Sequence, residues 1–365
     1  VASRGLGDVY KRQSVDGLSF IIYKKIDMNK ILVTGGLGYI GSHTVVQLLE
    51  VGYEVVVIDD LSNAEETMKQ RIESITNKTF DFYNFDLKDQ EQVHTFFANN
   101  KIDGIIHFAA HKAVGESVKF PLKYYRNNLV GLLNILEAME TFQLDSFIFS
   151  SSCTVYGQAD KMPIDENTPT QRTESPYGNT KKIGEEILED FVAINDKSVI
   201  ALRYFNPVGA HPSAKIGELP QGIPNNLVPY VTQTAAGIRP FLSVWGNDYP
   251  TRDGTPIRDY IDVNDLADAH VKAIRRLLEK KNKKNYEIFN LGTGRGSTVL
   301  EVVSAFEKAT GITIPYQIKD RRAGDIIEAY ADNHLAKKEL DWEPTISLET
   351  SLFNAWKWEE NLKSN

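Results

Sequence analysis

Lys30-Ile31-Leu32-Val33-Thr34-Gly35-Gly36-Leu37-Gly38-Tyr39-Ile40-Gly41 is the stretch on which the fold turns. An apolar run ends in glycines at 35, 38 and 41, and a periodic apolar pattern over 45–51 follows, so the order is strand, glycine turn, helix. Glycines at these positions let the turn close, let backbone approach a pyrophosphate and let the helix pack on the strand, with the helix N-terminus facing the phosphates. A second apolar run over 54–58 ends in Asp59, about twenty residues beyond the glycines, where a carboxylate can bind a ribose hydroxyl. Asp59 and Asp60 would repel a 2′-phosphate and no arginine adjoins them, which selects NAD over NADP.

Working outward, strand and helix signals keep alternating. A strand over 80–85 ends in Asp86, a helix covers 90–98, and a buried strand over 104–108 leads to Ala109, Ala110 and Lys112. A helix over 124–142 precedes a strand over 147–149 that runs into Ser150-Ser151-Ser152-Cys153-Thr154-Val155-Tyr156-Gly157, and another strand spans 199–204. Near-continuous apolar strands between helices describe a parallel sheet covered on both faces, whose ligands lie beyond the carboxyl ends of the strands. Asp86, Phe108, Ala109, Ala110 and Lys112 therefore fall beside the adenine and the middle of the cofactor. A turn or helix-cap role is the competing reading of Asp86.

The fold class is α/β, a Rossmann-type doubly wound parallel sheet with a smaller mixed α/β substrate-binding domain. The expected division is 28–205 for NAD binding and mainly 206–365 for substrate, with a discontinuous boundary. Pro207, Pro212, Pro220 and Pro224 mark ordered substrate loops between them. Later elements are helices near 227–236, 262–278, 299–309 and 348–358, and strands near 241, 257 and 288. Residues 1–27 do not join the pattern and read as an extraneous or disordered leader, with Met28 as the start.

The 365 residues are 42% hydrophobic and 25% charged, an ordinary globular composition. A net charge of −8 without a basic stripe argues against nucleic acid as partner. The apolar run over 18–23 is too short for a membrane span. With Cys153 as the one cysteine, neither an intramolecular disulfide nor a multi-thiol metal site can form, which fits a cytoplasmic location; Cys153 itself reads as a small packed residue.

Ser175-Pro176-Tyr177-Gly178-Asn179-Thr180-Lys181 opens a second amphipathic stretch, 182–194. Tyrosine and lysine four apart share a helix face, giving a base with its own activator. Chance also produces that spacing, so the pair gains meaning only from the cofactor signals around it.

As a set, Thr34 to His43, Lys112-Ala113-Val114-Gly115-Glu116-Ser117, Ser150-Ser151-Ser152, Ser175-Pro176-Tyr177-Gly178, Arg203-Tyr204-Phe205-Asn206-Pro207-Val208-Gly209-Ala210, Pro220-Gln221-Gly222-Ile223-Pro224-Asn225-Asn226-Leu227 and Arg258-Asp259-Tyr260 resemble the nucleotide-sugar 4-epimerases of the extended short-chain dehydrogenase/reductase family. The resemblance runs from about residue 28 to 358. It implies Tyr177 as catalytic base, Lys181 as its partner and Ser152 as a hydrogen-bonding assistant. Cofactor contacts are implied for Gly35, Gly38, Tyr39, Ile40, Gly41, Asp59, Asp86, Leu87, Phe108, Ala109, Ala110, Lys112, Asn127, Tyr177, Lys181 and Phe205. Substrate contacts are implied for Lys112, Ser152, Tyr177, Asn206, Asn225, Asn226, Leu227, Arg258, Arg322, Asp325 and Ala329. The arginine forks at 258 and 322 suit a diphosphate.

The implied activity is reversible C4 epimerisation of UDP-glucose and UDP-galactose through a 4-keto sugar, with tightly bound NAD, in galactose metabolism. A free tyrosine must fall by roughly 3 pKa units, about 4 kcal/mol, to act as base near neutrality. An ammonium about 5 Å away supplies on the order of 3 kcal/mol at an effective dielectric near 20, and the positive nicotinamide is expected to add the rest. In the family a bulky aromatic beside the sugar 2-position excludes N-acetyl groups. Counting from Arg322-Ala323-Gly324-Asp325, that position is Ala329, or Tyr330 after a one-residue slip, so UDP-N-acetylglucosamine and UDP-N-acetylgalactosamine are expected substrates too. Thr154 lacks the adjacent carboxylate that a dehydratase needs. A decarboxylase and a non-catalytic NAD-sensing protein are the remaining alternatives. A homodimer through the helices beginning near Tyr124 and Tyr177 is also implied.

Overall fold

The computed structural model describes residues 29–322 and 325–364. The expected leader, with Met28, and the anchor residues Ala323 and Gly324 lie outside the described residues.

The chain begins as the glycine stretch dictates: β1 (Lys30–Thr34) gives way to the turn and then to α1 (Tyr39–Glu50), which starts earlier than the apolar periodicity does. β2 (Glu54–Ile58), α2 (Thr67–Thr76), β3 (Asp81–Tyr83), α3 (Gln90–Asn99) and β4 (Gly104–His107) continue the alternation. After α4 (Val114–Lys119) and α5 (Pro121–Thr141) come β5 (Ser146–Ser152) and a single 3-10 turn, Cys153–Tyr156. α6 (Pro176–Ile194) and β6 (Ser198–Tyr204) complete this half.

The second half contains β7 (Asn206–Val208), α7 (Leu227–Ala235), β8 (Leu242–Trp245), β9 (Ile257–Arg258), β10 (Tyr260–Asp262), α8 (Val263–Leu278) and β11 (Tyr286–Leu291). β12 (Ser297–Thr298), α9 (Val299–Thr310), β13 (Tyr316–Lys319), β14 (Glu328–Ala329), α10 (His334–Leu340) and α11 (Leu348–Ser364) follow.

Seven strands form one sheet in the order β11-β6-β5-β4-β1-β2-β3. Every pairing in it is parallel, so each connection crosses the sheet, and the inner strands β1, β2, β4, β5 and β6 are buried along almost their whole length. Residues 263–291 return to this sheet: α8 packs on α1 and on β4, β5 and β6, and β11 pairs with β6. One face is closed by a core that includes Val33, Val45, Leu202 and Leu266, the other by Leu32, Leu132, Phe149 and Leu188. Each fully buried aliphatic chain contributes about 1.5–3 kcal/mol.

The remaining strands are short. β10 pairs with β7, β8 with β13, and β9 lies between β12 and β14. A separate core from α7, α9, α11 and β8 includes Val231, Val302, Phe306 and Leu352. Among the described residues, no helix is long and apolar enough to cross a membrane.

β3 is shorter than its apolar sequence suggests. Only 81–83 pair with β2, at the sheet edge, and Asp86 lies beyond it in a turn where its carboxylate accepts the Lys88 backbone N–H at 2.9 Å.

Candidate active site

The dinucleotide turn is tight. Gly35 has φ of +69°, and a Cβ there would lie 2.8 Å from Ala109 N; a Cβ on Gly41 would lie 2.2 Å from Gly35 O. Asp59, at the tip of β2, accepts from Leu37 N at 3.1 Å and Leu61 N at 3.0 Å, so it braces the turn. Burial raises its pKa, opposed by those two backbone bonds. A backbone cradle that no larger residue could form, with a carboxylate one strand away, fits a dinucleotide such as NAD.

The other expected cofactor residues collect along the same carboxyl edge. Phe108, Ala109, Ala110 and Lys112 follow β4, with Phe108 N bonded to Thr34 O at 2.9 Å. Lys88 joins Asp86 at 2.6 Å and Asn127 at 2.9 Å, while Leu87 O takes the Asn134 amide at 2.8 Å. Tyr39 donates to Gly209 O at 2.7 Å, and Ile40 packs against the α1-side core. Lys112 lies over the Tyr39 ring, 5.5 Å from its centroid, and pairs with Glu218 at 2.9 Å.

α6 starts where it does because Ser175 caps it, accepting from Gly178 N at 3.1 Å, and Pro176 occupies the first turn without needing a donor. That start puts Tyr177 at the carboxyl edge of the sheet. The Ser152 hydroxyl hydrogen-bonds the Tyr177 phenol and receives the Thr154 hydroxyl at 3.0 Å. Lys181 Nζ donates to Ser150 O at 2.5 Å and lies 5.0 Å from the Phe149 ring centroid.

Burial pushes the phenol of Tyr177 well above the ordinary tyrosine value, and the Ser152 hydrogen bond pulls it back. Burial lowers Lys181 to about 7, while Glu185 holds it up. Burial thus opposes ionisation of the phenol, and the Lys181 amine is engaged by a carbonyl of β5. Cys153 is partly buried, and burial raises its thiol to about 12, leaving it a packed thiol.

On the substrate side, Phe205 is buried and Asn206 N donates to Asp259 O at 2.9 Å. Asn225 is exposed, Asn226 donates its amide to Glu218 at 2.7 Å, and Leu227 begins α7. Arg258 is ion-paired with Asp325, and Arg322 lies over the Trp245 ring at 5.5 Å. Ala329, in β14, is 4% exposed and shares a cluster with Val155, Tyr156, Phe205 and Cys153. Tyr330 turns the other way, with ring atom Cδ1 3.1 Å from a Cβ built on Gly296. Among the described residues, no group of three or more His, Cys, Asp or Glu could hold a metal ion.

Sequence reasoning passed over Glu185, Arg203 and Glu218. Glu185 carried a usable signal, since it continues the Tyr177, Lys181 spacing by one more turn. Glu218 sits in a turn-rich loop whose sequence has no periodicity to place it.

The sheet order, the braced glycine turn and the Ser152, Tyr177, Lys181 grouping define an extended short-chain dehydrogenase/reductase. The family profile described as GDP-mannose 4,6 dehydratase matches residues 32–353. UDP-glucose 4-epimerase of Bacillus subtilis is 54% identical over 332 residues, 91% of this chain and 97% of the relative. The structure of UDP-glucose-4-epimerase from Stenotrophomonas maltophila with bound NAD and formylated UDP-arabinopyranose superposes with a TM-score of 0.89 at 45% identity, covering 92% of this chain and 99% of that one. That of UDP-glucose 4-epimerase from Bifidobacterium longum with NAD+ and UDP gives 0.87 at 46%, covering 91% and 98%. The chain belongs to the UDP-glucose 4-epimerase family.

Proposed function

We propose that this chain interconverts UDP-glucose and UDP-galactose by inversion at C4, using retained NAD. The observation that carries the reading is the convergence of Tyr177, Ser152 and Lys181 at the sheet edge that also holds the glycine turn and Asp59. NAD, when bound, supplies the hydride acceptor and donor for C4 of the sugar.

Tyr177 takes the 4-hydroxyl proton at its phenolic oxygen and later returns it, with Ser152 orienting the phenol. A phenol raised this far by burial needs positive charge nearby to ionise. Lys181 is the cation the chain itself provides. Arg258 and Arg322 grip the diphosphate, for which Arg258 exchanges its Asp325 partner for phosphate oxygens. A firm hold on the nucleotide with few bonds to the hexose lets the keto sugar turn over and present its other face. Lys112, Asn206, Asn225, Asn226 and Leu227 complete the nucleotide and sugar contacts.

The small side chain of Ala329, where a bulky aromatic would exclude an N-acetyl group, supports N-acetylated UDP-hexosamines as further substrates. The adjacent residues of Thr154 are Cys153 and Val155, which speaks against elimination of water. Exposed Phe120, Leu122 and Ile194 on or beside α5 and α6 support a homodimer through these two helices.

The test is turnover of UDP-galactose to UDP-glucose by purified protein without added NAD. Product formation supports both the reaction and cofactor retention. No conversion with NAD supplied in excess would overturn the reading.

A further inference from the structure

α6 meets β5 through one side-chain column. Tyr177, Lys181 and Glu185 lie four residues apart on a single face, all buried. The three consecutive serines of β5 receive them in turn: Ser152 the Tyr177 phenol, Ser150 O the Lys181 amine, and Ser151 Oγ the Glu185 carboxylate. The helix approaches closely here, since a Cβ on Gly184 would lie 2.8 Å from Phe149 Cζ.

Glu185 is also gripped from β6. Arg203 donates through Nε at 2.9 Å and 3.2 Å and through Nη2 at 2.5 Å, and the two side chains are 5% and 7% exposed. The far side of the guanidinium donates to Tyr156 Oη at 2.9 Å, which donates to Asn290 Oδ1 on β11 at 2.7 Å. A buried pair of this kind adds little net stability compared with apolar packing, but it fixes orientation where every lone pair and proton is used.

We propose that Glu185 is a positioning residue of the active site: held by Arg203 and Ser151, it fixes the α6 turn that carries Lys181 and supplies the negative charge facing its amine. The inference deepens the epimerase reading and rests on it for the role of Lys181.

The buried histidines, tyrosines and thiol around this column carry no charge near neutrality. His107 on β4 is lowered to about 3 by burial, and Tyr204 on β6 and Cys153 are each raised to about 12 by burial. Tyr177 on α6, Tyr124 on α5 and Tyr286 on β11 are raised by burial, and His270 on α8 is lowered to about 4 by burial. The charged groups along this column are then Glu185, Arg203 and, one turn further along α6 and exposed, Glu189; Glu185 stands one turn from Lys181 on the same buried face and raises its amine against the effect of burial.

The experiment is an NMR titration of the Lys181 13Cε resonance, assigned through K181M, in wild type and E185Q, alongside the pH profile of UDP-galactose turnover. E185Q is expected to move the Lys181 midpoint about one pH unit downward. The alkaline limb of kcat should move with it, while KM for UDP-galactose stays within about twofold. E185D, which restores the carboxylate, is expected to return the midpoint with a lower kcat. An E185Q midpoint within about 0.2 units of wild type overturns the proposal. If E185Q does not fold, E185Q/R203Q, which strands no buried charge, gives the same reading. Failure of both variants to fold would assign the pair to stability alone and also overturn it. A wild type inactive on UDP-galactose removes the epimerase reading, while the titration still decides whether Glu185 controls the amine.

Discussion

Ala329 lies opposite Arg258 in the parallel ladder between β14 and β9, and Asp259 N donates to Ala329 O at 3.0 Å. The proposed diphosphate ligand and the proposed sugar-size residue are thereby held on adjacent strands at fixed register. Filling this position with A329Y is expected to reduce UDP-N-acetylgalactosamine turnover relative to UDP-galactose by about 10-fold or more. Coupled assays with the two sugars check this. Equal losses on both would place position 329 outside the sugar pocket.

Y177F keeps the ring packing of a residue 9% exposed and removes only the hydroxyl. Its kcat is expected to fall by about 10²–10⁴-fold. The melting temperature should change by only a few degrees, since a buried hydroxyl hydrogen bond contributes about 1 kcal/mol. Calorimetry beside single-turnover kinetics separates the two effects.

G41A places a Cβ 2.2 Å from Gly35 O, a backbone contact that no rotamer can relieve. Displacing the turn is expected to cost about 1–3 kcal/mol of stability. The same displacement should release NAD, read as a lower 260 nm to 280 nm absorbance ratio after gel filtration. Cofactor content equal to wild type would show that the turn is not the phosphate cradle.

His107 is pushed down to about 3 by burial and then by Lys181. The unfolded chain takes up this proton from about pH 6.5 downward, whereas the folded protein refuses it until about pH 3. Above the unfolded value the group contributes no pH dependence; below it, folded stability falls by about 1.4 kcal/mol per pH unit. H107Q is expected to remove that slope between about pH 6 and pH 4.5 in urea unfolding measured at a series of pH values. An unchanged slope would mean that the folded protein protonates His107.

The first half of the sheet was legible because its strands are long enough for burial to dictate composition. Lys30–Thr34 and Glu54–Ile58 leave little but apolar residues to read. Two-residue strands such as Ile257–Arg258 and Glu328–Ala329 have no period at all, and tertiary neighbours alone define them. Phe82 and Phe85 look like strand residues and carry the expected strand on to Asp86, although an edge strand buries only one side of so short a segment. The Glu185–Arg203 pair was hidden for a different reason: charged residues are expected at the surface, and only the fold reveals a charge compensated inside.

β11 also sets when this protein can be complete. Tyr286–Leu291 forms the outer strand beside β6, and until those residues have left the ribosome β6 is an open edge of a sheet that already contains Ser150, Ser151 and Ser152. At about 5–20 residues per second, the interval between the end of β6 and the end of β11 is on the order of 4–17 s. A nascent chain paused in that interval would expose the apolar seven-residue edge of β6 to other chains, an edge that β11, shorter by one residue and carrying Glu287 and Asn290, covers in the finished protein.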